Sequence, residues 1–222
     1  MTGKRGLLSW CLYDWANSAY PTVITTFVFA TYYTQAIAKT PEQGTGQLSW
    51  ALGIAGFVVA VMSPPMGAIA DRIGARKPWL AVFTALCVGA TGLLWYARPA
   101  PDFAFLALVL LVISSIAFEF GSVFYNAMLP ELAPRAMVGR ISGWGWGLGY
   151  VGGLLCLVVA LVGFVQTDAP WFGVGNSEAA NVRATAVLAA VWFGVFAIPL
   201  FIFSPDKPNT HVSIGIAVRE GF

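Results

Sequence analysis

A chain of 222 residues that is 58% hydrophobic and only 10% charged, with a mean hydropathy of +0.75, lies far outside the range of water-soluble domains. Its formal net charge of +2 gives no basis for binding nucleic acid, and one histidine, His211, with three scattered cysteines forms no cluster of metal-ligand spacing. Cys11, Cys87 and Cys156 are odd in number and sit in or beside apolar runs, which argues against a disulfide framework and for small buried hydrophobes. No metal or cofactor is expected, and the bilayer is the first partner.

A helix needs about 20 apolar residues to cross a hydrocarbon core of roughly 30 Å. Six windows qualify, at 14–38, 48–69, 78–97, 103–129, 140–165 and 184–203, and runs this long do not belong to a membrane barrel. The predicted fold is an all-α integral membrane protein, a bundle of six transmembrane helices over 1–203 followed by a cytoplasmic tail or linker over 204–222. The N-terminus opens with Lys4 and Arg5 ahead of apolar residues, but Asp14 and Asn17 interrupt the run and no cleavage signal follows. It reads as the start of a retained first span.

Within span 1, Asp14, Asn17, Ser18, Pro21 and Thr25 recur at steps of three and four, which stacks them on one helical face. Polar side chains are costly in a bilayer and turn toward a cavity or another helix, so this face is the first cavity candidate. Pro21 also frees a backbone carbonyl, a device common where a helix bends around a solute. Asp14 reads first as a carboxylate that starts or gates the helix near the cytoplasmic interface, and second as a substrate contact.

Span 2 ends in "GAIADRIGARK", residues 67–77, where Gly67, Asp71, Arg72, Gly74, Arg76 and Lys77 crowd into one connection. Gly67 lies four residues before Asp71 on the same face, where a missing side chain lets a neighbouring helix come close. Pro64 and Pro65, just upstream, suggest a kink. A topogenic positive loop accounts for the cations but not for the glycine and aspartate spacing.

Span 4 carries a second stripe, Ser115, Glu119, Ser122 and Asn126, in which Glu119 sits about 16 Å in from the cytoplasmic end at ~1.5 Å per residue. Two readings stay open. Glu119 binds and releases a proton as a cavity switches sides, or it is a structural acid hydrogen-bonded to nearby hydroxyls. Span 5 opens with "GRISGWGWGLGYVGG", whose Gly147, Gly149 and Gly152 would signal a dinucleotide site only between a strand and a helix. Gly145, Gly149 and Gly153 at steps of four instead predict a smooth groove for close helix packing. Trp144 and Trp146 read as interfacial anchors before they read as substrate platforms.

Nine basic residues (Lys4, Arg5, Arg72, Arg76, Lys77, Arg135, Arg140, Lys207 and Arg219) lie at the N-terminus, in loops 2–3 and 4–5, and in the tail. Three (Lys39, Arg98 and Arg183) lie on the other side, which predicts both termini in the cytoplasm.

The pattern G-x-x-x-D-R-x-G-x-R-K at 67–77 resembles the loop 2–3 signature of the major facilitator superfamily. "CLYDWANSAYPTVI", "SPPMGAIADRIGARKPWL" and "FYNAMLPELAP" further resemble the branch typified by the fungal vacuolar amino-acid effluxer of autophagy and its bacterial relatives. The resemblance implies a secondary transporter that moves a small polar solute, amino acids included, by alternating access. Asp71 and its cations would form a cytoplasmic latch, and Tyr125 and Asn126 would sit at the cavity mouth. It also implies about twelve spans, so the second six-helix half would be a missing C-terminal part, a separate chain or a second copy. Span 5 lacks the proline that follows a late glycine in antiporters of the superfamily, so antiport does not carry over. The membrane would be the bacterial inner membrane, or the vacuolar membrane in a eukaryote.

Two other readings are a membrane scaffold or remnant without transport, and an intramembrane enzyme. The sole histidine lies outside the spans, and Asp14 with Glu119 makes a poor carboxylate pair because the two are expected at different depths.

Overall fold

The computed structural model describes residues 4–72 and 74–206, without the side chain of Arg72. Lys207, His211 and Arg219, with all but the first three residues of the expected tail, lie outside the described residues. Helix α1 (Lys4–Asn17) and α2 (Phe29–Tyr32) belong to the first rod, followed by α3 (Pro41–Arg72), α4 (Lys77–Leu93), α5 (Ala104–Leu132), α6 (Val138–Ala160) and α7 (Ala180–Phe203). Among the described residues the architecture is helical throughout, without strands.

Five helical stretches among the described residues are long and apolar enough to cross a membrane: Pro41–Asp71, Lys77–Tyr96, Pro101–Leu132, Arg135–Val165 and Ser177–Phe203. The expected span over 14–38 differs. Its rod begins earlier, at Lys4, and is broken into short α and π segments, the π segments being Tyr20–Phe27 and Tyr33–Ile37. The physical reason starts at Pro21, which has no N–H to give to the carbonyl of Asn17. The ladder widens to the π register, with the Val28 N–H donating to Val23 at 3.0 Å and the Ala38 N–H to Tyr33 at 2.9 Å. Threonine hydroxyls occupy carbonyls along the break: Thr22 donates to Ser18 at 2.8 Å and Thr25 to Pro21 at 3.1 Å. By contrast α3 runs through Pro64 and Pro65 as one helix.

α1 packs against α6 and α7, α5 against α3 and α4, and α4 against α7. An aromatic cluster ties the Lys4 end of the first rod to α5 and α4. Trp10 stacks on Tyr125 at 4.4 Å between centroids, the Trp10 indole N–H donates to the Tyr125 carbonyl, and the Tyr125 hydroxyl donates to the Trp10 carbonyl, both at 3.1 Å. Tyr13 also stacks on Tyr125, at 4.9 Å between centroids, and its hydroxyl lies 2.7 Å from that of Thr84 on α4. Each of these polar atoms is buried and therefore needs its partner.

The contacts of Trp10 with Tyr125 and of Tyr20 with Ser114 and Ser115 fix the first rod antiparallel to α5. In that register Glu119 lies near the level of Trp15 and Ala16, about two residues or ~3 Å along the axis from the level of Asp14. The two acids are closer in depth than the sequence suggested.

The predicted glycine groove of α6 is present and faces α1. A Cβ added at Gly145 would lie 2.7 Å from the Trp10 ring, at Gly149 3.1 Å from Asp14 Oδ2, at Gly152 2.5 Å from the Trp15 carbonyl and at Gly153 2.6 Å from Thr22 Oγ1. Gly67 behaves otherwise: nothing lies within 4 Å of a Cβ added there, so no helix among the described residues uses the gap. The same is true of Gly53 and Gly56 on α3, whose neighbours Trp50 and Phe57 are exposed. That helix presents an open face.

Candidate functional site

Two adjoining cavities open between the helices. The first, of about 420 Å³, collects Asp14, Asn17 and Ser18 from the first rod, Ser122, Tyr125 and Asn126 from α5, and Trp146, Gly149 and Tyr150 from α6. The second, of about 280 Å³, holds Thr25, Ser115 and Glu119 with Tyr20 and part of α3. Pro21 and Phe118 line both and form the partition. The two sequence stripes thus face each other, Asp14, Asn17 and Ser18 against Ser122 and Asn126 in the first cavity and Thr25 against Ser115 and Glu119 in the second.

The side chains within these cavities differ in what they leave available. Ser115 is buried and its hydroxyl is 2.9 Å from that of Tyr20, which also lies 2.8 Å from Ser114, so Ser115 is engaged in holding the rod to α5. Tyr125 is likewise buried and bonded to Trp10, which makes it a pin as well as a wall. The Ser122 hydroxyl donates to the Phe118 carbonyl at 3.0 Å, leaving lone pairs toward the cavity. Asn126 is exposed at the rim.

Glu119 is exposed on the open side of the second cavity. Asp14 is half-buried against the α6 glycines, its carboxylate accepts no hydrogen bond among the described residues, and it opens into the cavity. It does not cap α1, where it sits in the final turn.

The loop after α3 forms a separate clasp. Gly74 is buried with φ +78°, in the left-handed region where glycine carries no Cβ penalty, which explains the glycine of the motif. Asp71 is exposed. Arg72 lies in the last turn of α3, its side chain outside the described residues. Arg76 is the buried member: its Nε donates to the Ala70 carbonyl at 2.9 Å, and its Nη1 donates to the Ala127 carbonyl at 2.6 Å and pairs with Glu131 at 2.5 Å. The Asp206 carboxylate accepts from the backbone N–H groups of Arg76 and Lys77, both at 3.0 Å, at the start of α4, and the Lys77 ammonium donates to the Phe201 carbonyl at 2.8 Å. One guanidinium therefore joins α3 to α5, and one carboxylate ties the end of α7 to α4.

Sequence reasoning did not pick out Glu131 or Asp206, although each is an acid beside a proline in "PELAP" and "SPDKP". It also placed Trp146 second as a substrate platform; Trp146 lines the cavity, whereas Trp144 is exposed elsewhere on α6.

The clasp and the polar stripes can be set against known proteins. The family described as "Vacuole effluxer Atg22 like" matches residues 48–220. The chain belongs to that family. Over 220 residues it is 33% identical to an uncharacterized MFS-type transporter, YxiO, of Bacillus subtilis (strain 168), an alignment covering 96% of this chain and 50% of the relative. The chain spans about half the length of the curated relative it matches. This Atg22-like chain is an integral, multi-pass membrane protein. The family match takes in the clasp and Glu119, while the Asp14 face of the first rod precedes it and falls within the longer alignment to the Bacillus protein.

Proposed function

We propose that the chain forms one wall of a secondary active transporter that carries a small polar solute, amino acids among them, by alternating access. The observation that carries this reading is the pair of adjoining cavities, in which hydroxyls, amides and two acids from the first rod and α5 converge inside an apolar bundle. The bent first rod, Lys4 to Ile37, is read as a further span beside the five continuous ones, and the balance of basic residues supports both termini in the cytoplasm. Residues 1–203 then form the membrane domain, with 204–222 leading into the cytoplasm. The unpartnered face of α3, with Gly53, Gly56 and Gly67 open, supports a second six-helix bundle lying across both cavities.

Covered in this way, Glu119 loses its solvent and becomes the proton-coupling group. Asp71, exposed beside Gly67, becomes a latch that engages the facing bundle in one state, while Arg76 and Lys77 hold the clasp within this one. The test is uptake into vesicles containing the completed transporter. Glu119→Gln is expected to abolish the dependence of transport on a pH gradient while the protein still folds; proton-dependent uptake equal to that of the unsubstituted protein removes Glu119 from coupling. Absence of any solute flux across a panel of amino acids and related zwitterions contradicts the transport reading itself.

A further inference from the structure

The first cavity has a chemical polarity that narrows its ligand, an inference that rests on the transport reading. The Asp14 carboxylate stands in it without a hydrogen-bond donor among the described residues, and no lysine, arginine or histidine lines either cavity. The Ser122 and Thr22 hydroxyls lining the same cavity have their protons committed to helix carbonyls, at 3.0 and 2.8 Å, so each offers oxygen lone pairs. Across from the first rod, Trp146 and Tyr150 meet edge to face at 6.1 Å between centroids, and both rings line the opening. A negative charge, hydroxyl acceptors and aromatic faces call for a ligand that brings positive charge and N–H donors.

We propose that this cavity is an ammonium subsite, in which the amine of the solute is held by Asp14 against the faces of Trp146 and Tyr150. A carboxylate on the same solute gains no charged partner from this wall and would have to be held by the facing bundle. The α6 glycines matter here because a side chain at Gly149 would fill the space beside Asp14: an added Cβ comes within 3.1 Å of Oδ2 and 2.8 Å of Ser18 Oγ.

The probes are phenethylamine and 3-phenylpropionate, an amine and an acid of matched size, titrated against the full 222-residue chain in lipid nanodiscs and followed by tryptophan fluorescence. The amine is expected to bind about tenfold more tightly than the acid, the scale of one net hydrogen bond to a charged group. Asp14→Asn is expected to remove that preference, and Asp14→Glu to retain it; thermal melts of both variants separate loss of the site from loss of the fold. Equal binding of the two probes to the unsubstituted chain overturns the proposal, as does an amine preference that survives in folded Asp14→Asn. Solute transport without amine preference overturns the ammonium subsite and leaves the transporter standing. Amine preference with no transport in the completed protein does the reverse.

Discussion

Replacing Gly152 with alanine is expected to destabilise the chain by about 1–3 kcal/mol, the usual penalty for forcing a methyl group into a filled interior. The added Cβ would lie 2.5 Å from the Trp15 carbonyl, a backbone atom that cannot rotate away, and 2.8 Å from the Trp15 ring. Alanine is the better helix former by up to about 1 kcal/mol, so intrinsic propensity opposes the effect without cancelling it. The same exchange at Gly147, in the same helix but with nothing within 4 Å, isolates that propensity and should be neutral or stabilising. Thermal unfolding of both variants in nanodiscs checks the contrast. If Gly152→Ala melts with Gly147→Ala, α6 does not rest on α1 as described.

Arg76→Ala should cost more, about 3–5 kcal/mol, because it breaks a largely buried charge pair and removes the donor to two carbonyls at once. The Arg76 side chain is 8% exposed and Glu131 28% exposed, so water replaces the lost bonds poorly. Arg76→Lys should recover little, since a single ammonium cannot reproduce a fork that reaches Ala70, Ala127 and Glu131 together. Lys77→Ala removes one bond, to the Phe201 carbonyl, and should cost only about 0.5–1.5 kcal/mol. Unfolding midpoints for the three variants give the order directly. A fully stable Arg76→Lys variant would mean that charge alone holds the clasp.

How far the residues foretold this arrangement depends on which force decides each feature. Apolar length is a local property, and the five continuous membrane helices could be read from it. The α6 glycines were legible because a four-residue period places them on one face whatever lies opposite. Pro21 announced a break in the first rod, but not the π register of the segments around and beyond it. The polar stripes of the first rod and α5 were visible as stripes. Their division into two cavities was not, because the partition is made by Pro21 and Phe118, an imino acid and an apolar ring that carry no polar signal.

Charge was harder to place than polarity. Arg76 and Lys77 counted equally in the basic loop, yet only the guanidinium of Arg76 is buried, since its partners Ala127 and Glu131 lie more than fifty residues away along the chain. Asp14 sits in the last turn of α1, against glycines of α6 that the sequence could not bring to it. Both cases turn on tertiary distance, which no helical period encodes.

Water access to the polar stripes is the most direct measurement. Cys11, Cys87 and Cys156 are buried, so single cysteines introduced by Ser18→Cys and Ser122→Cys can be probed with a membrane-impermeant maleimide applied to either side of the bilayer. In the completed transporter both positions should label, with the accessible side changing when substrate is added. Protection of both positions from both sides, with and without substrate, would contradict an aqueous path through this bundle.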